Sequence, residues 1–169
     1  MGPLTLQLPD ARASAELGRA LARAVSGAES CSRVVHLQGE LGAGKSALAR
    51  SFLQARGVAG PIRSPSYTLV ETYPTAAATY FHVDLYRLAA GADLEELGLR
   101  EQTGPGHVIL IEWPERGGVS LPPADLSILL QYAGSGRHAT LSSTGATGDR
   151  WLALLASDRR IVSYLSNLT

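Results

Sequence analysis

Lysine is nearly absent from these 169 residues: 14 of the 15 basic side chains are arginine, and the one lysine is Lys45. A chain that uses arginine everywhere else keeps a compact, flexible ammonium at one place, which marks a position the wide planar guanidinium does not suit. Cysteine is equally scarce. Cys31 alone forms no intramolecular disulfide and builds no zinc cluster, so a reduced thiol in a cytoplasmic protein is the expectation. Long apolar runs are missing as well. The stretch Val-Ile-Leu-Ile at 108–111 is far shorter than the roughly 18 residues a membrane span needs, and the start Met-Gly-Pro-Leu-Thr lacks the pattern of a secretory signal. No membrane association is expected. Excess charge of either sign is absent too, with 15 acidic residues against the 15 basic ones. This argues against a basic stripe able to grip nucleic acid unaided, so any RNA is expected to be held mainly by another protein.

What is present fits one domain over residues 1–169, since 45% apolar content supplies a sizeable core. An edge strand is expected at 5–8, followed by a helix capped by Asp10, with Leu17, Leu21, Ala24 and Val25 at helical spacing and packed on a sheet. Residues 34–38 read as a buried strand, 39–44 as a tight glycine-rich loop, and 45–54 as a helix burying Leu48, Phe52 and Leu53. Strands at 67–73 and 79–85 form a hairpin across Pro74-Thr-Ala-Ala-Ala. A short helix at 93–98, a strand at 108–112 stopped by Pro114, strands at 125–132 and 137–142, and a helical last 20 residues complete the reading. The fold class is α/β, a mixed β-sheet flanked by helices.

Gly39, Glu40, Leu41, Gly42, Ala43, Gly44, Lys45 and Ser46 match G-x-x-x-x-G-K-[ST] without a gap. The glycines let successive N–H groups turn toward an anion, and the start of the following helix adds its partial positive charge. Lys45 is placed to reach β- and γ-phosphates, and Ser46 to offer a hydroxyl to Mg²⁺, a hard cation that prefers oxygen. ATP is favoured over GTP by elimination, because guanine readers usually carry Asn-Lys-x-Asp and this chain has no second lysine.

Such a loop needs a carboxylate near its metal and a group to orient the attacking water. Glu112 closes the apolar strand 108–112, at the rim where open α/β sheets bind ligands. Asp84 lies two residues after His82, so strand alternation puts both on one face. Solvated strand-end charges and a structural histidine are the alternative reading. The loop Arg63-Ser-Pro-Ser-Tyr-Thr68 occupies the place of a nucleotide-sensing switch, or of an ordinary surface connection.

Taken together, the glycine-rich loop, Ser64-Pro-Ser-Tyr-Thr-Leu-Val70, Phe81-His-Val-Asp-Leu-Tyr-Arg-Leu88, Glu95-Glu-Leu-Gly98 and Ile111-Glu-Trp-Pro114 resemble the TsaE (YjeE) family over about residues 8–137. The resemblance implies a P-loop NTPase-like ATPase serving the synthesis of threonylcarbamoyladenosine beside the anticodon of tRNAs. It implies TsaD, which transfers the threonylcarbamoyl group, and its scaffold TsaB as partners, with tRNA met only through that complex. Carried over residue by residue, it places Lys45 on the phosphates, and Ser46 and Glu112 on Mg²⁺. Asp84 orders the metal's water shell or the attacking water. Ser66, Tyr67 and Thr68 fall in a switch loop, Trp113 relays nucleotide state to a partner, Ala11 lies beside the base, and Arg137 approaches the nucleotide or is an ordinary strand-start arginine. Two departures stand out: Ser46-Ala47 replaces a frequent Thr-Thr, and Ser66 a frequent Thr. Two other functions stay open, a nucleotide-dependent binding switch with negligible hydrolysis and a small-molecule P-loop kinase. The latter usually needs an Arg-rich lid, and the only adjacent Arg pair is Arg159-Arg160, in the expected C-terminal helix.

Overall fold

The structure is a computed structural model that describes residues 2–25, 33–89 and 97–166. Its elements in chain order are β1 (Leu4–Leu8), α1 (Ala11–Ala24), β2 (Arg33–Gly39), α2 (Lys45–Ala55), β3 (Val70–Pro74), β4 (Thr79–Asp84), β5 (His107–Glu112), β6 (Leu126–Ala133), β7 (Gly136–Ser143) and α3 (Ala146–Ser157). The strands form one sheet in the order β1-β7-β6-β2-β5-β4-β3. Its centre is parallel, with β6, β2, β5 and β4 running together. Antiparallel hairpins extend it on both sides, β6–β7 with β1 on one and β4–β3 on the other. The mixed sheet expected from the strand spacing is thereby confirmed.

Period-two alternation sorts the strand residues between two cores. Val35 and Leu37 of β2, Val108 and Leu110 of β5 and Tyr80 of β4 join Leu17, Leu21, Leu48, Phe52, Trp151 and Leu155 of the three helices. Val34, Phe81, Val83, Ile109 and Ile111 point the other way, onto Leu99 and Leu121. Among the described residues the helices therefore cover one face only. Against the second lie residues of the turns and short 3₁₀ segments on either side of β5, Leu97 and Leu99 before it and Trp113 and Leu121 after it.

Local chemistry explains the boundaries. Asp10 caps α1, its Oδ1 accepting from the N–H of Ala13 at 2.8 Å. The expected strand over 67–73 begins only at Val70: Leu69 is left-handed with φ 63 and its N–H closes a turn on Pro65 O at 2.7 Å. The helical reading of the last 20 residues holds to Ser157. Beyond it the N–H of Asp158 turns back onto Leu155 O, and a 3₁₀ turn at Val162–Tyr164 leads to a β-bridge between Leu165 and Leu6. There the N–H of Ser166 donates to Thr5 O at 3.0 Å. The short helix expected at 93–98 lies, but for its last two residues, outside the described residues, as does Cys31. No helix among the described residues is long and apolar enough to cross a membrane.

Candidate functional site

Strand β2 delivers the glycine-rich loop to the carboxyl end of the parallel strands, where α2 begins. The loop needs glycine because Gly39, Gly42 and Gly44 have φ of 136, 77 and 110, a region L side chains avoid. At Gly39 the space is closed as well, since a Cβ there would fall 2.3 Å from Leu130 O of β6. Lys45 opens α2 and folds over the loop, its Nζ donating to Gly39 O at 2.6 Å and Glu40 O at 2.9 Å. Only 4% of it is exposed. Burial pushes its pKa below the ordinary lysine value, while the carboxylates of Glu112, Glu115 and Asp84 pull it back up.

Trp113 roofs this ammonium, whose Nζ lies 3.8 Å from the indole centroid. The residue is left-handed, with φ 59, so the chain turns sharply at the end of β5 and Pro114 starts a 3₁₀ turn. Tyr86 packs against the indole at 5.1 Å, and Arg116 lies over both rings.

The carboxylates come from neighbouring parallel strands. Asp84 of β4 is in register with Glu112 of β5, and Leu37 pairs Glu112 from the other side. His82, Asp84 and Glu112 share the parity of Tyr80 and Leu110 and so face α2 and the loop. The two oxygens of Glu112 are divided: Oε1 accepts from His82 Nε2–H at 2.7 Å and Oε2 from the Ser46 hydroxyl at 2.8 Å. Asp84 is divided likewise. Its Oδ1 accepts from the N–H of Tyr86 at 3.0 Å, and Oδ2 meets the hydroxyls of Ser64 and Ser66, each at 3.2 Å. The two hydroxyls lie 2.9 Å apart.

A cavity of about 220 Å³ lies among the loop, Lys45, Ser46, Asp84, Glu112 and Trp113. A second, of about 280 Å³, adjoins it and is lined by Ala11, Ala43, Ser135 and Arg137. Gly42, Gly44 and Ala47 border both. The short side chain of Ala47 thus lies where the two cavities meet.

Most residues singled out in the sequence converge here, and two do not. Tyr67 is 83% exposed and stacks with Arg87, and the hydroxyl of Thr68 turns away to Glu71 at 3.0 Å. Of the loop 64–68 Ser64 and Ser66 reach the cavity, and Ser64, though part of the motif, had been given no role of its own. Tyr86, just past β4, and Tyr132, within β6, were given no role, because sequence carries no signal of which distant group an aromatic will meet. Arg137 braces the loop from outside, donating to Ala43 O at 3.1 Å and Gly42 O at 3.2 Å.

The donor set suits Mg²⁺, which takes hard oxygens, accepts few protein ligands and keeps its waters. The Ser46 hydroxyl and Glu112 carboxylate already meet over the cavity. Among the described residues no three His, Cys, Asp or Glu side chains form a cluster able to hold a metal ion by themselves.

A strand, a glycine-rich turn and a helix at the carboxyl ends of parallel strands define an α/β protein of the P-loop class. Within it, the chain belongs to the TsaE family: the sequence model described as "Threonylcarbamoyl adenosine biosynthesis protein TsaE" matches residues 8–139. It is similar to the tRNA threonylcarbamoyladenosine biosynthesis protein TsaE of Haemophilus influenzae, 38% identical over 142 residues that cover 83% of this chain and 90% of that one. The namesake from Streptomyces coelicolor is 33% identical over 144 residues, 80% of this chain and 92% of that one. That from Bacillus subtilis is 32% identical over 113 residues, 66% and 70% of the two chains. The fold matches the crystal structure of Bacillus subtilis YdiB with a TM-score of 0.73 at 23% identity, covering 92% of this chain and 95% of that one.

Proposed function

We propose that this protein binds ATP with Mg²⁺ at the glycine-rich loop and hydrolyses it slowly, as an accessory ATPase in threonylcarbamoyladenosine formation on tRNA, with TsaD and TsaB as partners. The observation that carries the reading is the 2.8 Å contact of Ser46 with Glu112 beside the buried ammonium of Lys45. A hydroxyl, a carboxylate and a cation meet at the start of a helix, the combination a metal-bound polyphosphate requires. Mg²⁺ would neutralise charge on the transferred phosphoryl group. Lys45 would exchange its two loop carbonyls for phosphate oxygens, Ser46 and Glu112 would hold the metal, and Asp84 would orient water at its edge. The adenosine would extend into the neighbouring cavity past Ala11. The family's place in tRNA modification and the balanced charge of the chain support the accessory role.

The test is ATP hydrolysis by the purified chain with Mg²⁺, alone and then with TsaB, TsaD and tRNA, using Lys45→Ala as the blank. Hydrolysis that depends on Lys45 and rises on adding the partners is expected. Turnover indifferent to them would remove the accessory role. A binding switch with negligible hydrolysis is the second reading, favoured by Asp84, whose two oxygens both hold protein groups and tether the loop at Ser64 and Ser66. Single-turnover measurements separate the two, since a switch binds ATP tightly and leaves it intact.

A further inference from the structure

The hairpin β6–β7 holds the glycine-rich loop from outside through two side chains. Tyr132 donates its hydroxyl to Leu41 O at 2.8 Å. Arg137 donates through Nε to Ala43 O at 3.1 Å and through Nη2 to Gly42 O at 3.2 Å, so three consecutive carbonyls are tied to one hairpin. The two side chains also fix each other. The guanidinium carbon lies 4.1 Å from the Tyr132 ring centroid, and Nη1 donates to Gly136 O at 2.7 Å. The loop is built to admit this contact, since a Cβ on Gly42 would fall 2.8 Å from the Tyr132 hydroxyl.

In a planar trans peptide the carbonyl and the following N–H point in opposite directions. Tying the carbonyls of Leu41 and Ala43 toward the hairpin therefore turns the N–H groups of Gly42 and Gly44 away from it. The N–H between them, on Ala43, is spent on Glu40 O at 3.1 Å. An anion cradle whose amides are fixed in advance avoids ordering a flexible glycine-rich segment at the moment of binding.

From this geometry we infer that Tyr132 and Arg137 form a brace that presets the loop for anions. Both are thus positioning residues for the phosphate chain, acting through the main chain. The inference rests on the reading of this loop as a phosphate site. Arg137 also lines the cavity assigned to the adenosine, so the rival role is direct contact with the nucleotide.

The test uses the full chain and two probes, a ribose-labelled fluorescent ADP and inorganic tripolyphosphate, each with Mg²⁺. Wild type and Lys45→Ala come first: absence of binding by the former, or equal binding by the latter, removes the phosphate-site reading and the brace with it. Given Lys45-dependent binding, Tyr132→Phe, Arg137→Lys and the double variant test the brace. Each single change is expected to weaken both probes by about three- to tenfold, the range for a lost hydrogen bond. The double loss should fall short of the product of the single ones, because the two side chains act as a unit. Amide hydrogen exchange at 41–44 in the ligand-free protein should quicken while the melting temperature stays within a few degrees. Full affinity in Arg137→Lys would mean that charge alone matters, and a loss confined to the labelled ADP would mean contact with base or sugar. Either result, or unchanged exchange in the loop, overturns the brace.

Discussion

His82 Nε2 lies 2.7 Å from Glu112 Oε1, and 1% of each residue is exposed. The pair divides the labour of one carboxylate: the imidazole occupies one oxygen so that the other is aimed at Ser46. His82 is thus the support of the proposed metal ligand, a role its place two residues before Asp84 did not disclose.

Replacing His82 with Leu removes that support and leaves a buried carboxylate oxygen without its donor. Nucleotide binding without metal should change little, while the Mg²⁺ concentration needed for half-maximal enhancement of binding rises about tenfold or more. His82→Gln, which offers an N–H at similar reach, should recover part of the loss. Calorimetric titration with and without Mg²⁺ checks both, and an unchanged metal requirement in His82→Leu would refute the support role.

The two serines that meet Asp84 Oδ2 tie the segment before β3 to the site. Ser64→Ala and Ser66→Ala together should loosen residues 63–69, seen as faster proteolysis there in the ligand-free protein. Each hydroxyl contributes about 1 kcal/mol, so either single change should have a smaller effect. Equal cleavage of all forms would show that the neighbouring Pro65 and Leu69 turn holds the segment unaided.

The glycine-rich loop was legible because its pattern is written locally. Gly39 to Ser46 are contiguous, and the strand, turn and helix that present them follow from three short patterns. Glu112 and Asp84 were legible as strand ends, since a polar residue closing an apolar strand emerges at a sheet rim. Their register was not, because parallel pairing joins β4 to β5 across more than 20 residues of intervening chain. Tyr132 and Arg137 lie still farther from the loop in sequence. Where the side chains of the loop 64–68 point was not legible either: Tyr67 lies exposed and Thr68 turns to Glu71, next to the left-handed Leu69, a conformation that residue rarely adopts.

Gly39→Ala should fold poorly. The added methyl meets the carbonyl of Leu130 at 2.3 Å, a backbone atom of a central strand that cannot step aside, and φ 136 is unfavourable for any L side chain. A loss of about 3 kcal/mol or more is expected, at the upper end for single substitutions. Urea denaturation measures it. A loss below about 1 kcal/mol would show that the loop relaxes away from β6.

His36 on β2 gives the protein an acid-sensitive element outside the site. Burial lowers its pKa from the ordinary 6.5, against the opposing pull of Pro122 O, which accepts from Nε2–H at 3.2 Å, and of the Glu115 carboxylate. The unfolded chain therefore takes up this proton first as pH falls. Stability drops once pH passes below 6.5, and the loss is complete below the lowered folded value. His36→Gln keeps an N–H donor and cannot titrate. Its urea midpoint relative to wild type should rise between about pH 7.5 and about pH 5, and a constant difference would contradict the assignment.

The return of Leu165 and Ser166 to β1 bears on how copies of this protein meet one another. A border strand with unspent N–H and C=O groups is a template on which a second molecule can extend the ladder. Here Leu165 bridges Leu6 and Ser166 donates to Thr5, so this segment occupies the middle of that border. The opposite border, β3, is five residues long and finishes on Pro74, which has no N–H to lend. Both margins of the sheet are thus blunted by the chain itself, one by self-pairing and one by brevity, which discourages fibrous stacking at the concentrations a crowded cell imposes.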